Sequence, residues 1–150
     1  MEREERGALD HLESLVGELA YPAGGVILWS ENLRLERAIR STVERLLPCE
    51  GANDEEEARL CAALIEGYSQ LIYERDGDYR RRIGLLRRVE SVLPRIDKQP
   101  LRCRLLIACF LVTSEPQFIT EAKNMIDEWR KRTLTPEETA IADKVELLWV

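Results

Sequence analysis

Apolar residues recur at helical spacing along nearly the whole chain, and this restricts its fold more than any other feature. Leu9, Leu12, Val16 and Leu19 form one stripe, which ends at Tyr21-Pro22 and a Gly24-Gly25 loop. Leu35, Ile39, Val43 and Leu46 form a second, stopped by Pro48. A third runs through Leu60/Cys61, Leu64/Ile65, Gly67/Tyr68 and Leu71/Ile72, a broad face on one helix. Only Val26–Trp29 resembles even a short strand. A chain with this pattern must bury helix against helix.

The remaining segments repeat the logic. A fourth helix, about 79–93, is expected to bury Tyr79, Ile83, Leu86 and Val89 and to end before Pro94. A fifth, about 100–112, is apolar almost all round, and its run Leu105–Val112 should be the central buried helix. A sixth spans about 115–131 with Ile119, Ala122, Ile126 and Trp129 on one side. A seventh opens at TPEE, with Thr135 as N-cap, Pro136 at the first helical position and Glu138 closing a capping box. The spacing therefore predicts an all-α domain, an irregular bundle of about seven helices. Its 150 residues suit one domain, 1–150.

Charge and cysteine usage exclude several function classes. The net charge is −6, yet residues 75–104 carry ten basic and four acidic side chains. An acidic chain with one basic segment argues against direct nucleic-acid binding and suits a protein partner of complementary charge. Cys61, Cys103 and Cys109 sit inside apolar helical patterns, Cys49 lies in a connection, and His11 is remote from all four. No metal site is expected from that set. The longest apolar run is far short of a membrane span, and no apolar segment follows the charged start, so a cytoplasmic protein is expected. Motifs for nucleophilic, metal-dependent and nucleotide-dependent catalysis are absent, so neither enzyme activity nor a cofactor is expected.

Two stretches stand out. The acidic opening of helix three, Asp54 to Glu57, follows Asn53, a good N-cap, with Glu56 three residues on; this is capping at the positive end of a helix. The basic stretch RRRIGLLRR places Arg80, Arg81, Arg87 and Arg88 away from the expected Ile83/Leu86 stripe. It reads either as a solvated face or as a surface for a carboxylate-bearing protein partner. The order Tyr73, Gly77-Asp78-Tyr79, Ile83, Leu86, Val89, Pro94 resembles half of a tetratricopeptide repeat, without a second copy at the repeat distance. A tetratricopeptide-like helical hairpin inside the bundle is expected, and with it an alternative role as an adaptor for unrelated proteins.

The blocks EEEARLCAALIEGY (55–68), IY…GD (72–78), VLP (92–94), RLL..C (104–109), EA...I..W (121–129) and LTPEE (134–138) together resemble the UpxZ family. That resemblance implies a small regulator encoded with bacterial capsular polysaccharide loci. Its partner would be a NusG-like antitermination protein of the UpxY type from another locus, which it inhibits by protein–protein binding.

Overall fold

A computed structural model describes residues 1–20 and 28–148 of the chain. Among these are seven α-helices: α1 Arg3–Ala20, α2 Trp29–Leu46, α3 Asp54–Ser69, α4 Asp78–Val92, α5 Gln99–Thr113, α6 Pro116–Trp129 and α7 Pro136–Leu148, with a 3₁₀ turn at Leu93–Arg95. The all-α expectation holds. The Tyr21-Pro22 and Gly24-Gly25 loop lies outside the described residues, as does the first half of the strand-like Val26–Trp29, whose last residue opens α2.

Local chemistry sets the helix ends. Asn53 Oδ1 accepts from the Glu56 backbone N–H at 2.9 Å, as capping requires. The return half of the box is shifted by one residue: Glu56 Oε1 accepts from Ala52 N, and Glu57 Oε1 accepts from Gly51 N. At α7 the box is complete, with Glu138 N donating to Thr135 Oγ1 and Thr135 N to Glu138 Oε1. Gly51 lies so close to the start of α3 that a Cβ there would stand 2.1 Å from the Glu57 backbone nitrogen.

The helices pack chiefly as successive pairs, α1 on α2, α3 on α4 and α5 on α6. Helix α5 joins two apolar clusters. Leu105, Ala108 and Cys109 face the cluster built with α1, α2, α3 and α4, while Cys103, Leu106 and Ile107 face that of α6 and α7. A helix apolar nearly all round is what such a position needs. Burial is complete from Leu105 to Cys109 and partial from Phe110 to Val112, so the expected burial of the run Leu105–Val112 holds for its first five residues.

Gly67 marks a close approach. A Cβ there would come within 2.8 Å of Val43 Cγ2 and 3.4 Å of Leu12 Cδ1, so α1 and α2 crowd α3 at this point.

Two expectations need correction. Helix α3 ends at Ser69, and Ile72 leaves the helical stripe to stand 57% exposed. Tyr79 is exposed rather than buried and Ile83 only partly buried. The buried arc of α4 is Asp78, Leu85, Leu86, Val89 and Val92. The α3–α4 pair is present with its Gly77-Asp78 turn; its tetratricopeptide likeness rests on residue order alone.

Candidate partner-binding surface

That rotation of α4 decides the roles of its arginines. Arg80 and Arg87 are seven residues apart and so share one face, and Arg81 and Arg88 share another about 100° away. Arg80 and Arg87 are exposed and make no ion pair among the described residues. Gly84 between them borders open space, so their stripe is the outer face of the helix.

The other pair makes contacts within the chain. Arg88, only 25% exposed, holds Glu57 with Nε–Oε2 and Nη2–Oε1 contacts of 2.9 Å. It also donates to the carbonyls of Leu47 at 3.3 Å and Cys49 at 2.7 Å. One guanidinium thus ties α4 to the α2–α3 connection and to the first turn of α3. Burial alone would raise the Glu57 carboxyl, but hydrogen bonds from Arg88 and Gly51 N outweigh it and hold the group below its ordinary value. Arg81 lies 3.3 Å from Asp78. The acidic edge of α3 is likewise committed within the chain: Asp54 pairs with Arg95, Glu55 with Lys98, Glu56 with Arg6 and Glu57 with Arg88.

A second feature escaped the periodicity altogether. Two charged residues of α2, Glu36 and Arg40, are buried beside the Leu35/Ile39 stripe. Glu36 Oε1 accepts from the backbone N–H of Ile72 at 2.7 Å. Arg40 donates to the Tyr73 carbonyl at 3.2 Å and to both oxygens of Asp78 at 3.0 and 3.2 Å. Asp78 Oδ2 in turn accepts from Arg75 N at 2.8 Å, and Gly77 takes a φ of 88°, which closes the turn into α4. Burial pushes the Asp78 carboxyl up, but Arg40 and the Arg75 amide win and keep it below its usual value. Spacing alone does not single them out: Glu44 follows Val43 as Glu36 follows Leu35 and Arg40 follows Ile39, yet Glu44 is exposed.

The result is a connection, 70–77, whose backbone is fixed and whose large side chains face water. Ile72 and Tyr73 are 57% and 69% exposed. Leu33, Leu71 and Tyr73 line a cavity of about 130 Å³ with Glu36, Arg37, Arg40 and Arg75. Trp29, 60% exposed, lies one turn before Leu33 on the same face of α2.

A larger cavity of about 480 Å³ opens among α1, α3, α5 and α7. Its charged floor is internally paired: Glu66 binds Arg104 at 2.6 Å and Lys144 at 3.1 Å, and Arg104 also binds Glu13 at 2.7 Å. Burial would raise the Glu66 carboxyl, but the two cations hold it ionised. No chemistry beyond this pairing is set up there. Burial pushes the thiols of Cys61, Cys103 and Cys109 up to about 12, which leaves them unreactive at neutral pH. Among the described residues no group of three His, Cys, Asp or Glu side chains could hold a metal ion, and no helix is long and apolar enough to cross a membrane.

The exposed features left by this pairing are the outer face of α4 and the 70–77 connection. No curated protein matches the chain. The chain is similar to a crystal structure of a transcription anti-terminator antagonist UpxZ from Bacteroides uniformis, with a TM-score of 0.79 and 26% identity over 93% of this chain and 88% of that one. The profile of the UpxZ family matches residues 9–111, which include α2, α3, α4 and the 70–77 connection. This chain belongs to the UpxZ family of transcription anti-terminator antagonists.

Proposed function

We propose that this protein is a cytoplasmic, single-domain inhibitor that binds a NusG-like antitermination factor of the UpxY type. The factor is encoded at another capsular polysaccharide locus, and binding blocks its action on RNA polymerase. Neither cofactor nor direct nucleic-acid contact takes part. The observation that carries this reading is the family match over residues 9–111, whose members are described as anti-terminator antagonists.

The basic helix supports a contact role within that reading. Arg80 and Arg87 are exposed and unpaired among the described residues, so their charge is available to carboxylates of a partner. Arg81 is exposed but paired with Asp78, and Arg88 is largely covered and paired with Glu57, so their charge is shared within the chain. Calorimetry with purified UpxY-type proteins, alongside a read-through transcription assay, tests the proposal. Binding should weaken about tenfold when Arg80 and Arg87 are both replaced by Glu, and raised salt should weaken the wild-type complex. Binding that ignores the double change would move the contact elsewhere. Absence of binding to every such factor would overturn the reading.

A further inference from the structure

We infer that the 70–77 connection and the adjoining face of α2 form a docking patch for an acidic, amphipathic segment of the partner, with Ile72 and Tyr73 at its centre. The inference rests on the inhibitor reading above for the partner's identity, but on this chain's own geometry for the site.

Energetics favours it over a merely tolerated exposure. Leaving a large apolar side chain in water forfeits the stabilisation its burial would bring. Here two neighbours, Ile72 and Tyr73, are left out together. Meanwhile α2 buries a carboxylate and a guanidinium, groups that are expensive to remove from water. Those two groups grip the backbone of the same two residues, at Ile72 N and Tyr73 O. The second oxygen of Glu36 is sealed from water with no hydrogen-bond partner. A fold built for stability alone would bury the apolar side chains and expose the charges. This arrangement does the reverse and ties down the backbone that carries the apolar pair, as a preformed contact surface requires.

The charge around the patch selects the partner's chemistry. Arg37 lines the cavity beside Tyr73 and has no ion pair among the described residues. Arg75, also on the rim, is exposed and touches Glu44 only at 3.8 Å. The nearby carboxylates Glu31 and Glu74 are already paired with Arg34 and Arg82. Only Asp76 stands exposed and unpaired among the described residues of the turn. The cavity lining itself is cationic: Arg37 and Arg75 are its exposed charges, and its one carboxylate, Glu36, is buried and bonded to Ile72 N, which suits apolar side chains flanked by Glu or Asp.

Two titrations monitored by amide NMR test the inference. The first uses a synthetic amphipathic helix with Leu and Phe on one face and Glu on the other. The second uses a purified UpxY-type antitermination protein. With both ligands, saturable shifts should centre on Ile72, Tyr73 and the Trp29 indole. Affinity should fall at least tenfold in the Ile72→Ser/Tyr73→Ser double variant, and less in Arg37→Glu, with the melting temperature close to wild type. If the antitermination protein binds while these signals stay still, the patch is wrong and the inhibitor reading survives. If the antitermination protein does not bind at all, that reading fails and the peptide titration alone judges the patch. No peptide shifts at Ile72 and Tyr73 would overturn it. Concentration-dependent shifts there without ligand would assign the patch to a second copy of this chain instead.

Discussion

Replacing Arg88 by Ala would leave Glu57 in a partly buried site without its cation, held by the Gly51 amide and the Cys61 thiol, and would remove the donor to the carbonyls of Leu47 and Cys49. Removing one member of such a pair is expected to cost about 2–3 kcal/mol, discounted from the fully buried case because Arg88 retains some exposure. Arg87→Ala, one residue away on the outer face, should shift stability by less than about 0.5 kcal/mol. Urea denaturation of the two variants side by side checks both. Equal losses would mean that the clamp contributes nothing. Gly67 offers a steric counterpart. Even one carbon there meets Val43 Cγ2, which belongs to a stiff β-branched side chain, so Gly67→Leu should destabilise by about 1–3 kcal/mol. A stabilised Gly67→Leu variant would mean that α1 and α2 do not crowd α3 as described.

Among the elements, α5 carries the most consequence because its two faces serve different clusters. Ile107 is fully buried against α6 and α7, and Leu105 is fully buried against the first cluster. Truncating either to Ala is expected to cost about 2–5 kcal/mol. The unfolding curves should stay single-step, because α5 cannot leave one cluster without leaving the other. A biphasic curve for Ile107→Ala, with α6 and α7 melting first, would show that the clusters are separable. Helix α4 teaches a different lesson. Its apolar positions admit two neighbouring arcs, one through Tyr79 and Ile83 and one through Leu85 and Val92. What selects the second is Asp78, drawn inward by Arg40 of α2.

For the whole molecule, the carboxylates held by ion pairs and by helix caps predict an acid limit to stability. Glu56, held by Arg6 and by Ala52 N, has its carboxyl lowered from an ordinary 4.5 to about 2. Glu138, held by Arg132 and Thr135 N, is also lowered to about 2. Glu57, Glu66 and Asp78 are lowered too, despite their burial. A carboxyl depressed in the folded state contributes its full stabilisation above the unfolded value and loses it as pH falls towards the folded one. The urea midpoint should therefore hold between pH 7 and about 5 and fall steeply from about 4.5 to 2. A midpoint unchanged down to pH 3 would show that these pairs are no stronger in the folded chain than in the unfolded one.

The sequence by itself determined what depends on neighbours within a turn or two. Helical period, the Asn53 and Thr135 caps, Pro136 at a helix start and the all-round apolar α5 are local properties, legible because 3.6-residue spacing and backbone capping need no distant partner. The same locality made the basic cluster visible as a charge run, and the family blocks lie largely on these packing and capping positions. Only the tertiary structure decided which arginines are free and which are used. Arg80 and Arg87 differ from Arg81 and Arg88 by about 100° of helix rotation, and the rotation of α4 is set by Arg40 of α2, which holds Asp78, and Glu57 of α3, which holds Arg88. It alone also decided that Ile72 and Tyr73 would face water, since their exposure follows from two buried charges on α2, more than thirty residues away in the chain. Long-range electrostatic commitments of this kind leave no periodic trace, because a buried charge and a solvated one are the same letter in a sequence.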